Sequence, residues 1–357
     1  MRFRLCFLLA VVVGVCQHVP AETLYSVTDL GTLGGDFSSG SAINNAGQVT
    51  GNSSTSTAPE HAFLYSGGRM QDLGTLGGDF GFGLGINNAG QVTGGSGPSG
   101  STHAFLYTNG EMIDLGTLGG NYSNGTAIND AGQIVGYSAT ATGSQRAFLY
   151  SNGQMKDLGA LGGAESTAFA INNAGQVTGS SFTSTRSIRA FLYSNGQMVD
   201  LGTLPGGDHS AGYGINSAGQ VTGESSTSTS FGHAFLYTNG EMIDLGALGG
   251  TFSAGFGINN AGQVTGEFYT ETGETRAFLY SDGRTVDLND LIDPQLHIRL
   301  IAALGINDSG RIVVNGSGPS SSNVHAFLLT PVPEPSTLAL FGAALVGLCA
   351  WSRRSKS

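Results

Sequence analysis

Seven side chains able to donate hydrogen bonds stand immediately before an Ala-Phe pair: His61, His103, Arg146, Arg189, His233, Arg276 and His325. A ring of such donors could contact anionic sugars. Each could instead bond an aspartate or a loop carbonyl within its own segment. Sevenfold recurrence favours the structural role, because catalytic sites are usually asymmetric. By the same logic Asp29, Asp72, Asp114, Asp157, Asp200, Asp244 and Asp287, which open an Asp-Leu-Gly tract or its final Asp-Leu-Asn variant, tie turns together.

Two places break the recurrence. After Asp287 a stretch from Leu288 to Leu300 brings Asp290, Asp293, His297 and Arg299 into the chain. A carboxylate pair with a histidine can do acid–base work. Such an insertion more often plugs or caps the end of a fold, and the alternation from Leu296 to Ile301 reads as one more strand. A second cluster, Glu267, Glu271 and Glu274, could collect Ca²⁺, although its spacing lacks the regular ligand pattern of a dedicated calcium loop. No phosphate-binding loop, nucleophile elbow or zinc motif occurs. No catalytic residue, metal or other cofactor is therefore assigned.

The elements that must position these residues are repeats. Successive Asp-Leu tracts are 42 to 44 residues apart, and an Ile-Asn-x-x-Gly tract recurs from Ile43 to Ile306 with the same count of seven. In one unit, Asn129-Asp130-Ala131-Gly132 closes a turn between Ala127-Ile128 and Gln133 to Tyr137. Arg146 to Tyr150 is a strand by its aromatic and apolar content, and Asn152-Gly153 turns it into Met155 to Leu158. The glycine-rich Gly159 to Gly163 then leads to the next unit. Four short antiparallel strands, A to D, in about 43 residues is the period of a β-propeller blade.

Closure follows from the ends of the array. The chain begins with a lone D strand, Leu24 to Leu30, and ends with a C strand, His325 to Leu329, that lacks a successor. Pairing them gives an all-β, seven-bladed propeller without an exposed edge. A β-solenoid or open β-repeat array is the alternative, but it would need distinct polar capping units. Variety in sequence falls on the B–C loops, from Asn52 to Glu60, Gly94 to Thr102, Ser138 to Gln145, Ser180 to Ile188, Glu224 to Gly232, Glu267 to Thr275 and Asn315 to Val324. Binding residues favour variable loops on a rigid scaffold, so that face is the candidate site.

Composition agrees with this reading. Glycine supplies 59 of 357 residues and charged residues only 11%, which argues against a helix-rich domain, while 39% hydrophobic residues provide a core. Arg2 and Arg4 precede an apolar run from Leu5 to Cys16, and Val19-Pro20-Ala21 suits a signal peptidase, so residues 1–21 read as a secretory signal. At the other end Pro331 to Ser336 precedes an apolar stretch, 338–351, and a basic cluster of Arg353, Arg354 and Lys356. As a helix that stretch spans about 21 Å, short of a roughly 30 Å hydrocarbon core, so membrane association through it is transient. With residues 1–21 and the tail beyond Pro335 removed, nine basic residues remain against 25 acidic ones, a poor surface for nucleic acid. Cys6, Cys16 and Cys349 go with them, leaving packing alone to stabilise residues 22–330.

Val332, Pro333, Glu334 and Pro335, with the apolar segment and arginines behind them, resemble the PEP-CTERM sorting signal of Gram-negative bacteria. That resemblance implies an exosortase-like processing enzyme, strains that make exopolysaccharide, and delivery to the cell surface or matrix. The repeats resemble the bacterial extracellular HAF family, through His-Ala-Phe at His61, His103, His233 and His325. The expectation is a secreted, non-enzymatic surface or biofilm-matrix protein that binds exopolysaccharide or a surface protein. A carbohydrate-active hydrolase or lyase on the same scaffold is the alternative.

Overall fold

A computed structural model describes residues 24–332 except 58, 99, 229–231 and 319–322. The leader 1–21 and the segment from Pro333 onward, including Glu334, Pro335, 338–351 and the basic cluster Arg353, Arg354 and Lys356, lie outside the described residues. Tyr25–Val332 forms one compact unit. Among the described residues no helix is long and apolar enough to cross a membrane.

Each repeat folds into a four-stranded antiparallel sheet in the order A-B-C-D, and seven such sheets form. Blade 3 shows the plan: Gly119–Ile128 is A, Ile134–Thr140 is B, Gln145–Ser151 is C and Gln154–Asp157 is D. Strand A of the other blades starts at Gly34, Phe80, Gly162, Ser210, Ser253 and Arg299. The first strand, Tyr25–Asp29, completes blade 7 by pairing with Val324–Pro331, so that Tyr25 faces Pro331 and Asp29 faces Phe327. Chain ends thus close the propeller as the sequence predicts. The last strand reaches Pro331, one residue into the segment assigned to sorting.

The repeated motifs are the interfaces between blades. Phe148 is fully buried, and it packs with Ile128 and Ile134 of its own blade against Ala104 and Leu115 of blade 2. Phe63 and Val49 of blade 1 close the circle on Leu30, Ala326 and Leu328 of blade 7. A single sheet cannot bury these faces alone, which is why the units must stack. The Val-Thr-Gly tract of strand B is equally constrained, since a Cβ on Gly223 would come within 1.9 Å of the Ala211 carbonyl oxygen.

Three expectations need correction. Strand A is longer than Ala127-Ile128: in blades 1, 3 and 4 it has ten residues and begins inside the glycine-rich tract read as a connection. Tight packing there excludes side chains, for a Cβ on Gly120 would meet the Ala139 Cβ at 2.4 Å. Residues Leu296 to Ile298 are not part of a strand. Leu288–Leu291 and Pro294–Leu296 form two 3-10 turns, ended by His297 in the left-handed region (φ 51°), and strand A starts only at Arg299. Leu288, Leu291 and Ile292 bury themselves in a core shared by blades 6 and 7. Finally, Asn52, Glu224 and Glu267 lie within strand B and not in loops. Each has backbone partners on both sides, as Glu267 does in Ala254 and Ala277.

Candidate functional site

The A–B turns encircle one mouth of the central channel. Asn44, Asn87, Asn129, Asn172, Asn216, Asn259 and Asn307 each donate through Nδ2 to the backbone carbonyl of the same asparagine in the next blade, at 2.9–3.2 Å, and the last bond returns to Asn44. Their Oδ1 atoms accept from the backbone four residues on, as Asn129 does from Gln133 at 3.0 Å. In blades 1 to 6 the same Nδ2 also donates to the glutamine at that position. The mouth encloses about 210 Å³, but its inner polar groups are already paired. An outer ring reverses the roles, with a backbone amide donating to the side-chain oxygen of the next blade, through Asn45, Asn88, Asp130, Asn173, Asn260 and Asp308, and Ser217 interrupts it. Burial would raise the Asp130 carboxyl, but hydrogen bonds from the Asn88 backbone and side chain and from the Asn173 side chain outweigh it and hold its pKa below the usual value.

Deeper in the channel the symmetry ends. Every strand A carries a β-bulge at one position, held by Ser41, Leu84, Thr126, Phe169, Tyr213, Phe256 and Leu304. Bulges re-aim side chains, and these seven line a cavity of about 240 Å³ on the axis. Blades 4 to 6 contribute an aromatic row, with ring centroids of Phe169 and Tyr213 5.2 Å apart and those of Tyr213 and Phe256 5.7 Å apart. Glu224 and Glu267 stand beside this row, each paired with a strand A residue two positions nearer the B–C loops, Ala211 and Ala254. The Tyr213 hydroxyl donates to Glu224 Oε1 at 2.9 Å, and His209 Nε2 lies 3.5 Å from the same oxygen. Burial, and then the charge of Glu224, push the Glu267 carboxyl above the usual carboxylate range. Burial first, then the charge and hydrogen bond of Glu224 and the charge of Glu267, hold the Tyr213 phenol in its protonated form.

The donors before Ala-Phe lie on the B–C side and meet the aspartates as expected for a structural tie. Nδ1 of His61, His103, His233 and His325 sits 2.8–3.0 Å from Asp72, Asp114, Asp244 and Asp29. Arg276 holds Asp287 and Glu274, both at 3.1 Å, while Arg189 reaches Asp200 at 3.9 Å and also donates to the Asp208 carbonyl. Arg146 shares the register beside Asp157, which accepts from the Gly159 amide at 2.8 Å. That Asx turn recurs at each Asp-Leu tract, and Gly159 meets its demand for positive φ (81°).

The remaining candidates do not converge. Asp290 is exposed, Asp293 caps a 3-10 turn by accepting from the Gln295 amide, and His297 is exposed at its end. Glu271 sits on an exposed turn and Glu274 bonds Arg276, so neither joins Glu267. Among the described residues no three His, Cys, Asp or Glu side chains gather as a metal site. Val332, the one described residue of the sorting motif Val332 to Pro335, is 46% exposed. Sequence reasoning missed the bulge column, although a signal was present: one varied residue between two small ones ahead of each Ile-Asn, as in Gly212-Tyr213-Gly214.

Residues 331–354 match the sequence model of the PEP-CTERM protein-sorting motif. That motif indicates export across the inner membrane to the surface or exterior of a Gram-negative bacterium, and implies processing by an exosortase-type enzyme. Among curated proteins none matches the chain. Solved structures share the fold at low identity. TolB from Acinetobacter baumannii is 14% identical with a TM-score of 0.50, the match covering 71% of this chain and 64% of that one. A puromycin-hydrolyzing peptidase from Mycobacterium tuberculosis is 11% identical with a TM-score of 0.53, covering 83% and 51%. This chain thus spans less than two thirds of either protein. The β-propeller domain of the Trilobed protease from Pyrococcus furiosus, 9% identical with a TM-score of 0.51, covers 82% and 93%, and has an open velcro topology where this ring is closed by strand pairing. These likenesses extend to architecture alone: the chain is a seven-bladed β-propeller followed by a PEP-CTERM sorting motif.

Proposed function

We propose that this protein is a non-enzymatic component of the cell surface or extracellular matrix that binds exopolysaccharide, or a surface protein, from the B–C side of the propeller. The observation carrying this reading is the contrast between the two mouths. The A–B mouth spends its inner polar groups on bonds between blades. The B–C side bears the varied loops, and Glu224 and Glu267 stand toward it from the aromatic row. Export to the surface or exterior supports this reading by making extracellular polymers available as ligands, and the resemblance of the His-Ala-Phe repeats to an extracellular family is in keeping with it. The test is to mix the processed protein, purified from its host, with polysaccharide extracted from the same cells. Co-sedimentation without new reducing ends is the expected result.

A second reading, a hydrolase or lyase on this scaffold, draws support from the half-buried carboxylates Glu224 and Glu267 and not from Asp290, Asp293 and His297. New reducing ends that vanish in Glu267→Gln would establish it in place of the first.

A further inference from the structure

Blades 4 to 6 set an aromatic row on the channel wall and, beside it on strand B, two carboxylates, a composition that selects a ligand by charge. Phe169, Tyr213 and Phe256 present aromatic side chains to the cavity, and no lysine or arginine lines it. Glu224 already accepts the Tyr213 proton through Oε1, leaving Oε2 directed toward Gly232 at the end of the B–C loop. Glu267 makes no hydrogen bond with another described side chain, yet it is withdrawn from water and repelled by Glu224. Among the described residues His209 is the basic group that forms an ion pair with Glu224. An aromatic face stacks on the C–H face of a pyranose and attracts cationic groups. Paired carboxylates accept charge-assisted hydrogen bonds from an ammonium, which also relieves their mutual repulsion.

Resting on the glycan-binding reading above, we propose that this wall binds an amino-sugar unit of a glycan, with the ring over Phe169, Tyr213 and Phe256 and the ammonium between Glu224 and Glu267. The position has no equivalent elsewhere in the ring. Strand B carries Asn52, Gly95, Tyr137, Ser180 and Asn315 at the same register, and Asn315 is consumed by bonds to Ser39 and Gly40. Uronic acids would bring a carboxylate against two others and are excluded.

Calorimetry on the full processed protein tests this with three probes in slightly acidic buffer: a glucosamine tetramer, its N-acetylated counterpart and a galacturonate tetramer. The glucosamine tetramer is expected to bind at least about tenfold more tightly than the acetylated one. The double variant Glu224→Gln and Glu267→Gln should erase that preference while its melting temperature stays within a few degrees of the parent, and Tyr213→Phe should keep it. Equal affinity for the two tetramers, preference for galacturonate, or an unaltered preference in the double variant would overturn the proposal. So would equal competition by a lysine-rich peptide, which would make the site a receptor for protein ammonium groups. Binding of host polysaccharide that ignores both substitutions would reject this site and leave the glycan-binding function standing; no glycan binding at all would remove both.

Discussion

The A–B mouth and the middle of the central channel are built from the same strands and do opposite work. At the A–B mouth seven asparagines repeat one hydrogen-bond pattern and close a circle, so symmetry is the source of strength. At mid-channel the bulge column changes from Ser41 to Leu84, Thr126, Phe169, Tyr213, Phe256 and Leu304, and polar and aromatic groups gather on one side. The asparagine ring makes one identical bond at every blade junction, whereas contacts between blades in the bulge column differ from junction to junction, a hydroxyl on a carbonyl between Thr126 and Ala168 and ring on ring between Phe169 and Tyr213. The residues of that ring are therefore uniform, and those of the bulge column are free to specialise.

That contrast can be broken from either side. The largest effect is expected in the frame: Phe148→Ala empties a fully buried site between blades and should cost about 3–5 kcal/mol in chemical denaturation, with glycan affinity per folded molecule unchanged. Asn129→Ala comes next. It strands the Ala131 and Gln133 amides and removes one of the two bonds to the Asn172 carbonyl, which keeps the Gly175 amide, for a loss of about 2–3 kcal/mol. If this substitution instead abolished glycan binding at unchanged stability, the A–B mouth and not the channel wall would be the working end.

Smaller effects sharpen the comparison. His103→Ala removes a partly exposed pair with Asp114 and should lower stability by about 0.5–1 kcal/mol, seen as a modest fall in melting temperature. Loss of binding at an unchanged melting temperature would instead reassign this ring to ligand contact. The pH response should have opposite signs at Glu267 beside the channel and at Asp130 on the A–B mouth. Glu267 has a raised folded pKa, so the folded chain holds more protons in that interval, and stability declines as pH rises from the usual glutamate range through the raised value. Asp130 has a lowered folded pKa, so its contribution is present above the usual aspartate range and is lost as pH falls through the lowered value. Urea midpoints against pH should show Glu267→Gln flattening the first slope and Asp130→Asn the second.

Much of the frame was legible in the residues. Asn152-Gly153 marks a hairpin, the Asp-Leu-Gly tract marks an Asx turn, and the unpaired first and last strands predict closure. The His–Asp ties could be inferred from recurrence alone. The channel wall was not legible in this way. Glu224 and Glu267 follow a Val-Thr-Gly tract whose glycine suggests the end of a strand, whereas that glycine is a packing requirement inside it. Tyr213 and Phe256 stand between small residues ahead of Ile-Asn, a recurrence that marks a special position, but the sequence does not say that the ladder bulges there or that the position faces the axis.

By itself the sequence determined the unit, its four strands, its turns and the strand exchange that closes the ring, because these depend on dihedral preferences and on periodicity within about 43 residues. It also determined export, since a sorting motif is read as a linear segment. Only the tertiary structure decided which residues meet on the axis. Phe169, Tyr213 and Phe256 lie far apart along the chain, and they converge because blade stacking and a bulge in every first strand turn one repeat position toward a common centre.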